Sequence, residues 1–258
     1  MVDESLKKEV LKNILSLKDK GTDVVIVHGG GPFIKQALDE AKIVSEFVAG
    51  HRVTTPKAFE YVEMALNGKV NGDLVSNINA LGHEAVGLSG KDGKITIAKK
   101  RTHKMIVDGK EEEVDLGQVG ELAKINTKLL LLLLKNDFIP VISCISADES
   151  GIGFNINGDI FAGSIAGALN ARMLLSLTDV DGLFRDKNDP ASIIRKMNIS
   201  DIKLLTRQGI IQGGMIPKME ACEIAIEQGA SEAKIINGTK PEQILSFNDE
   251  SMGTLITK

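Results

Sequence analysis

Apolar residues recur along this chain with two spacings, and the two alternate. Over residues 4–18, Leu6, Val10, Ile14 and Leu17 fall on one helical face, which predicts an amphipathic helix. Residues 23–27 (DVVIV) form a short continuous apolar run, the mark of a strand buried on both faces. It ends in HGGGP at 28–32, and a helix is predicted over 33–41. Residues 57–80 read as one long helix or two, interrupted near Gly68 and Gly72. Residues 85–88 read as a short strand, and 95–99 and 105–107 as hairpin strands on an exposed edge. A Leu-rich helix follows at 126–136, with an asparagine able to cap it. Next come a buried strand at 138–145, a turn and short strand over 148–156, and a small-residue helix at 159–169. Strands at 172–177, 233–236 and 254–257 then alternate with helices at 200–208 and 218–228. This alternation predicts an α/β fold, an open αβα sandwich with a mainly parallel central sheet. We expect two lobes on one continuous sheet, residues 1–170 and 171–258, with the cleft at the strands' C-terminal ends.

Composition narrows the function. At 258 residues and 43% hydrophobic, the chain can build a sizeable core. Its net charge of −4, without a basic block, argues against a nucleic-acid partner. The longest apolar run, 129–134, is too short to cross a bilayer. The opening MVDESLKKEV has no hydrophobic segment of signal-peptide type. Cys144 and Cys222 lie far apart, and the four histidines show no metal-ligand spacing. A cytoplasmic location fits this best, with no membrane contact and no metal held by the protein itself.

The HGGGP turn is the strongest local signal. Gly29, Gly30 and Gly31 follow a buried strand and open a helix, where backbone N–H groups can point at an anion. A plain tight turn is the competing explanation, and position at a strand's C-terminal end favours the anion. Neither a P-loop nor a G-x-G-x-x-G spacing is present. Arg52, in GHRVT at 50–54, could hold a carboxylate by a two-pronged hydrogen bond, although a lone loop arginine is more often a solvated charge. Asn155 and Asn157 alternate along a strand end and so share a face. Asp159 could cap the following helix, orient a lysine, or do both. TDVDGLF at 178–184 suits ribose or phosphate contacts, or is an ordinary acidic turn. In GGMIPK at 213–218, Lys218 sits in a first helical turn against the helix dipole, which points to an anion nearby. Such a set suits phosphoryl transfer, which needs alignment and positive charge more than covalent chemistry. A carboxylate acceptor is already ionised near neutral pH and needs no general base. His28, at the end of a buried strand, reads as structural rather than as a base.

Jointly and in order, VHGGGP at 27–32, GHRVT at 50–54, VGLSGKDG at 86–93, DLGQVGE at 115–121, FIPVIS at 138–143, NINGD at 155–159, LTDVDGLF at 177–184 and GGMIPKMEA at 213–221 resemble the acetylglutamate kinase branch of the amino acid kinase family, over essentially the whole chain. The resemblance implies ATP, with Mg2+ bound to it, and phosphorylation of the side-chain carboxylate of N-acetyl-L-glutamate in arginine biosynthesis. It implies a homodimer built on the first lobe. It assigns acetylglutamate to Gly29, Gly30, Gly31, Arg52, Asn155 and Asn157. It assigns the nucleotide to Asp179, Val180, Gly182, Leu183, Phe184, Ile211, Gln212 and Met215. Lys218 would stabilise the transition state and Asp159 would organise it. Two other readings stay open: an acetylaminoadipate kinase, and a non-catalytic protein that binds acetylglutamate or arginine.

One departure stands out. The family opens with a strand carrying K-x-G-G, whose lysine neutralises the transferred phosphoryl group. Lys7, Lys8 and Lys12 lie inside a helical pattern with no glycines after them, so none matches. The resemblance therefore implies a sheet short of an inner strand and a weakened enzyme, with the natural start upstream of Met1. A milder departure is Gly158, where the family commonly has Ala. A chain extended by the codons upstream of Met1 is expected to turn over faster than residues 1–258; equal turnover by both would refute this.

Overall fold

A computed structural model of the chain describes residues 3–48, 51–107 and 110–258. Gly50 of the GHRVT segment lies outside the described residues. The chain divides into two compact units, one of residues 25–79 and 84–158, the other of residues up to 24, 80–83 and 159–258.

Helix α1 (Glu4–Asp19) opens the chain, capped by Asp3, whose carboxylate accepts the Leu6 N–H at 2.8 Å. Val10 packs with Ile236 and Ile244, joined by Leu6, Ile14 and Leu17. The apolar face read from the sequence is thus the buried one, and it ties α1 to the C-terminal unit. The boundary consequently differs from the expected 170/171: the N-terminal helix and residues 159–170 go with the residues that follow.

The unit of residues 25–79 and 84–158 contains, in order, β1 (Ile26–His28), α2 (Gly31–Glu40), β2 (Phe47–Val48), β3 (His51–Arg52) and α3 (Pro56–Glu63). A π-helical segment, Met64–Val70, then leads into α4 (Asn71–Ala80). Next come β4 (Ala85–Ser89), β5 (Thr96–Val107), β6 (Lys110–Ile125), α5 (Lys128–Lys135), β7 (Ile139–Ser143), β8 (Ile145–Ala147) and β9 (Gly153–Asn155). Strands β1, β7 and β4 form a parallel sheet in that order. Its central strand β7 is buried throughout, whereas β1, at the edge, is only half-buried. In register, His28 pairs with Ser143 and Ser143 with Ser89, so the three strand ends lie level. The helix expected over 57–80 is continuous. Gly68 does not break it but sits in the π-helical segment, where wider turns absorb the mismatch.

Strands β5, β6, β9 and β8 close a small barrel. Residues 96–107 are one strand, and its antiparallel partner is the DLGQVGE strand β6, so 95–99 and 105–107 do not pair with each other. Gly117 of β6 has φ +72, and a Cβ there would lie 2.2 Å from the Thr54 carbonyl oxygen. Thr54 donates its N–H to Leu116 and accepts the Gln118 N–H at 2.6 Å. Only glycine lets this strand accept the GHRVT segment so closely.

In the other unit, α6 (Gly158–Ala168) carries the chain onward to β10 (Met173–Thr178), β11 (Leu183–Phe184), β12 (Ile193–Ile194), β13 (Lys196–Asn198) and α7 (Ile202–Arg207). The order ends with α8 (Met215–Glu227), β14 (Glu232–Asn237), α9 (Glu242–Leu245) and β15 (Thr254–Thr257). The sheet order is β10-β14-β15-β13, with β10 and β14 parallel and β15 antiparallel to β14. Among the described residues, then, the strands pair as separate sheets rather than as the one continuous sheet expected. Here β1 is bonded only by β7, and β10 only by β14. Ile160, Leu174, Met219, Cys222, Ala225 and Ile235 belong to the core between this sheet and its helices.

Helices α6 and α8 pack almost backbone to backbone. A Cβ at Gly163 would lie 2.3 Å from the Ala221 carbonyl oxygen, so the small-residue pattern of α6 is a packing requirement. Gly163→Ala is expected to cost about 1–3 kcal/mol through forced separation of the helices, read as a lower urea midpoint with an unchanged m-value.

Candidate active site

At the end of β1 the chain turns through Gly29 and Gly30 into α2, whose first residue is Gly31. Pro32 lies in the first turn, where its missing N–H would be unpaired in any case. The spaces in front of Gly29 and Gly31 are open, with nothing within 4 Å of a Cβ built at either position. Gly30 is packed tightly, its Cβ position 2.7 Å from Leu66 of the π-helical segment. The turn is therefore braced on one side and accessible beside it, the form expected of a backbone anion site.

Arg52 does not lie in a free loop. It sits on β3, paired with β2, and its guanidinium donates to the Ser45 hydroxyl. Burial lowers its pKa and Asp39 opposes this, yet a guanidinium stays charged. Asn155 ends β9, and Asn157 follows it; both are half-buried, while Ile156 between them is buried. The alternation read from the sequence is present. At Gly158 a Cβ would make only ordinary contact, 3.5 Å from the Gly29 nitrogen, so an alanine fits there.

The other unit brings Asp159 and Lys218 together. Asp159 lies in the first turn of α6, one residue inside the helix rather than capping it. Lys218 lies at the end of the first turn of α8. The ammonium donates to both carboxylate oxygens, at 3.0 and 3.2 Å, with side chains 18% and 29% exposed. One turn further along α8, burial and the nearby Asp159 charge push the Cys222 thiol up to about 12. It is a neutral core residue, not a nucleophile.

The nucleotide candidates separate by environment. Asp179 and Val180 occupy the turn after β10; Asp179 accepts from Thr178, and Val180 is exposed. Gly182 has φ +142. Leu183 is buried, and its N–H donates to the Thr254 hydroxyl at 2.8 Å, while Phe184 pairs with Ile193. Ile211 is also buried, Gln212 is exposed and Met215 opens α8. Leu183 and Ile211 thus serve the core with their side chains and have only backbone to offer a ligand.

Asp181 was not singled out, and it anchors a polar network. Lys240 donates to both of its oxygens at 2.8 Å, and the Asn237 amide donates at 2.8 Å. The Asn237 oxygen in turn accepts from the Thr239 N–H and hydroxyl. These contacts hold the Asp181 carboxyl below its ordinary range, Lys240 first and Asn237 next. The missed signal is register: β10 and β14 are parallel neighbours with Thr178 opposite Asn237, so their C-terminal loops meet.

The structure thus has α/β units with parallel strand pairs, one with an open glycine turn and one with a helix-terminal lysine braced by a carboxylate. Residues 1–237 match the amino acid kinase family. The chain belongs to that family. It is 46% identical, over its full length and 88% of the relative's, to an acetylglutamate kinase of Methanococcus vannielii. It is likewise 46% identical to that of Methanocaldococcus jannaschii, over 87% of that relative. The structure of N-acetylglutamate synthase from Neisseria gonorrhoeae, complexed with coenzyme A and N-acetyl-glutamate, shares the fold. The TM-score is 0.79 over 99% of this chain and 57% of that one, at 21% identity.

Asp181 makes a pH prediction. Its folded pKa is lowered, so its stabilisation is present above the ordinary carboxylate pKa and fades as pH falls through the lowered one. The pair with Lys240 is 47% and 38% exposed, and solvent screening keeps it small. Asp181→Asn should cost about 0.5 kcal/mol at pH 7, and the difference in urea midpoints should vanish in strong acid.

Proposed function

We propose that this chain transfers the γ-phosphoryl group of ATP to the side-chain carboxylate of N-acetyl-L-glutamate, giving N-acetylglutamyl 5-phosphate for arginine biosynthesis. The observation that carries the reading is Lys218 held by Asp159 at the N-terminal ends of two helices. The identity to relatives named acetylglutamate kinase supports the substrate.

The acceptor carboxylate attacks the γ-phosphorus, an O–P bond forms, the bond to the β-phosphate oxygen breaks, and ADP leaves. No proton moves, because the acceptor is ionised at neutral pH. Lys218 supplies fixed positive charge to the transferred group, and Asp159 holds the ammonium in place. The N–H groups of Gly29, Gly30 and Gly31, with Arg52, Asn155 and Asn157, hold the acyl amino acid. Asp179, Val180, Gly182, Leu183, Phe184, Ile211, Gln212 and Met215 hold the nucleotide, Leu183 and Ile211 through their backbone. Mg2+ would travel on the nucleotide phosphates and neutralise their charge. Among the described residues no cluster of three or more acidic, His or Cys side chains could cage a metal, and a phosphate-borne ion needs none. Among the same residues no helix is long and apolar enough to cross a membrane. We take the working form to be a cytoplasmic homodimer.

Purified chain is assayed for ADP release and for acyl phosphate trapped as the hydroxamate. N-acetyl-L-glutamate is expected to stimulate both, ahead of N-acetyl-L-2-aminoadipate. Lys218→Ala should lower kcat by about 10²- to 10³-fold, the range for loss of one transition-state donor, with a circular-dichroism spectrum like that of the parent. Tight acetylglutamate binding without ADP release would overturn the catalytic reading, and preference for the aminoadipate would overturn the substrate.

A further inference from the structure

Asn71, the first residue of α4, is 4% exposed and makes contacts that its place on a helix does not require. Its side chain reaches into the ends of the β1-β7-β4 sheet. The amide nitrogen lies 2.9 Å from the Val141 carbonyl oxygen, 3.3 Å from that of Leu88, and 2.9 Å from Nε2 of His28. Gly87 makes room for it: a Cβ there would lie 2.1 Å from the Asn71 oxygen.

These partners settle which atoms carry protons. Two of the three are carbonyl oxygens, which only accept, so the Asn71 atom facing them is the NH2 group. That group has two hydrogens and no acceptor capacity: the two contacts at 2.9 Å, to Val141 and His28, take them, the longer one to Leu88 shares, and His28 Nε2 must be bare. In a neutral ring the proton is then on Nδ1. Nδ1 lies 3.0 Å from the Gly29 carbonyl oxygen, which is an acceptor, and the chain of bonds is consistent from end to end. Burial lowers the His28 pKa, which keeps the ring neutral.

The last bond acts on the glycine turn. In a planar trans peptide the C=O and the following N–H point in opposite directions. Holding the Gly29 oxygen toward the His28 ring therefore turns the Gly30 N–H away from it. The π-helical segment supplies the rest of the clasp. Leu66 and Val70 pack against Gly30. Asn67 accepts from the hydroxyl of Ser143, the register partner of His28.

We propose that Asn71 and His28 form a hydrogen-bonded relay that fixes the Gly29–Gly30 peptide, making both of them positioning residues for the anionic group bound by the glycine turn. The anion's identity rests on the acyl-amino-acid reading above; the relay itself does not.

The first test needs neither substrate nor variant of Asn71. In the 15N-labelled full chain, long-range 1H–15N correlations of the imidazole nitrogens should show His28 as the single Nδ1–H tautomer at neutral pH, assigned by its loss in His28→Leu. A dominant Nε2–H form would overturn the relay. In calorimetry, His28→Leu should weaken N-acetyl-L-glutamate binding about tenfold with ATP binding unchanged, and His28→Asn, which keeps a donor near the place of Nδ1, should recover part of the loss. Equal affinity in parent and His28→Leu would overturn the positioning role. A parent chain with the expected tautomer but no affinity for N-acetyl-L-glutamate would overturn the substrate reading and leave the relay standing.

Discussion

Lys218 stands at the N-terminal end of α8, where unpaired N–H groups disfavour a cation, and Asp159 faces it from the first turn of α6. The same dipole that opposes Lys218 favours Asp159, by about 0.3–1 kcal/mol for each charge. The two helix terms therefore nearly cancel, and the direct contact at 3.0 Å decides the balance. Both side chains are mostly shielded, so neither charge is comfortable alone. The contact is only as good as the spacing of α6 and α8. That spacing is set one turn further along by the close approach of Gly163 to Ala221. Cys222, buried and neutral beneath the pair, adds no competing charge. A helix crossing of small residues is what makes a well-placed ammonium possible.

The unit carrying the glycine turn solves a different problem. Its candidate ligand groups are backbone amides, which have direction but no rotamers to choose. Direction is imposed by neighbours: Leu66 and Val70 from the π-helical segment, and the His28 ring from the strand before the turn. A regular α-helix would present side chains at a different angular step. The wider turns at Met64–Val70 let Asn67 and Asn71 both face the strand ends. The segment is thus a working part of the turn and not a flaw in a long helix.

What the sequence made legible was local. VHGGGP is a strand, a turn and a helix in adjacent residues, and GGMIPK is a loop and a helix start; each is written in about six positions. Asp159 and Lys218 were each legible at a helix start, but their pairing across 59 residues was legible only through a family pattern. The link from His28 to Asn71 spans 43 residues, and that from Asp181 to Lys240 spans 59. No local periodicity encodes either. The single strand at 96–107 looked like two because LysLysArg at 99–101 interrupts its apolar pattern. Its main partner is the next strand in the chain, β6, whereas the pairing with β8 that closes the barrel joins Ile97 to Ala147 and is non-local. Gly68 looked like a helix breaker because glycine usually is one, and tertiary packing overrode the propensity. The Leu-rich run behaved similarly: Leu130 is buried, but Leu131 and Leu132 are more than half exposed, so hydrophobicity alone misstates burial there.

Lys218 offers charge and the glycine turn offers direction, and the proposed reaction has a use for each. Phosphoryl transfer between two anions creates no net charge; it moves charge from one oxygen to another. A fixed cation accelerates such a step only where negative charge grows in the transition state, and elsewhere it merely tightens the ground state. The relay excludes a cation from the glycine turn, because a protonated His28 would set a second donor against the Asn71 amide. What remains at the turn is a row of neutral, oriented N–H groups, suited to holding an acceptor in line. Lys218 keeps its place through its hydrogen bonds to Asp159. Moving positive charge from that ammonium to the turn would strengthen binding of the acceptor while removing the stabilisation that the migrating phosphoryl group requires.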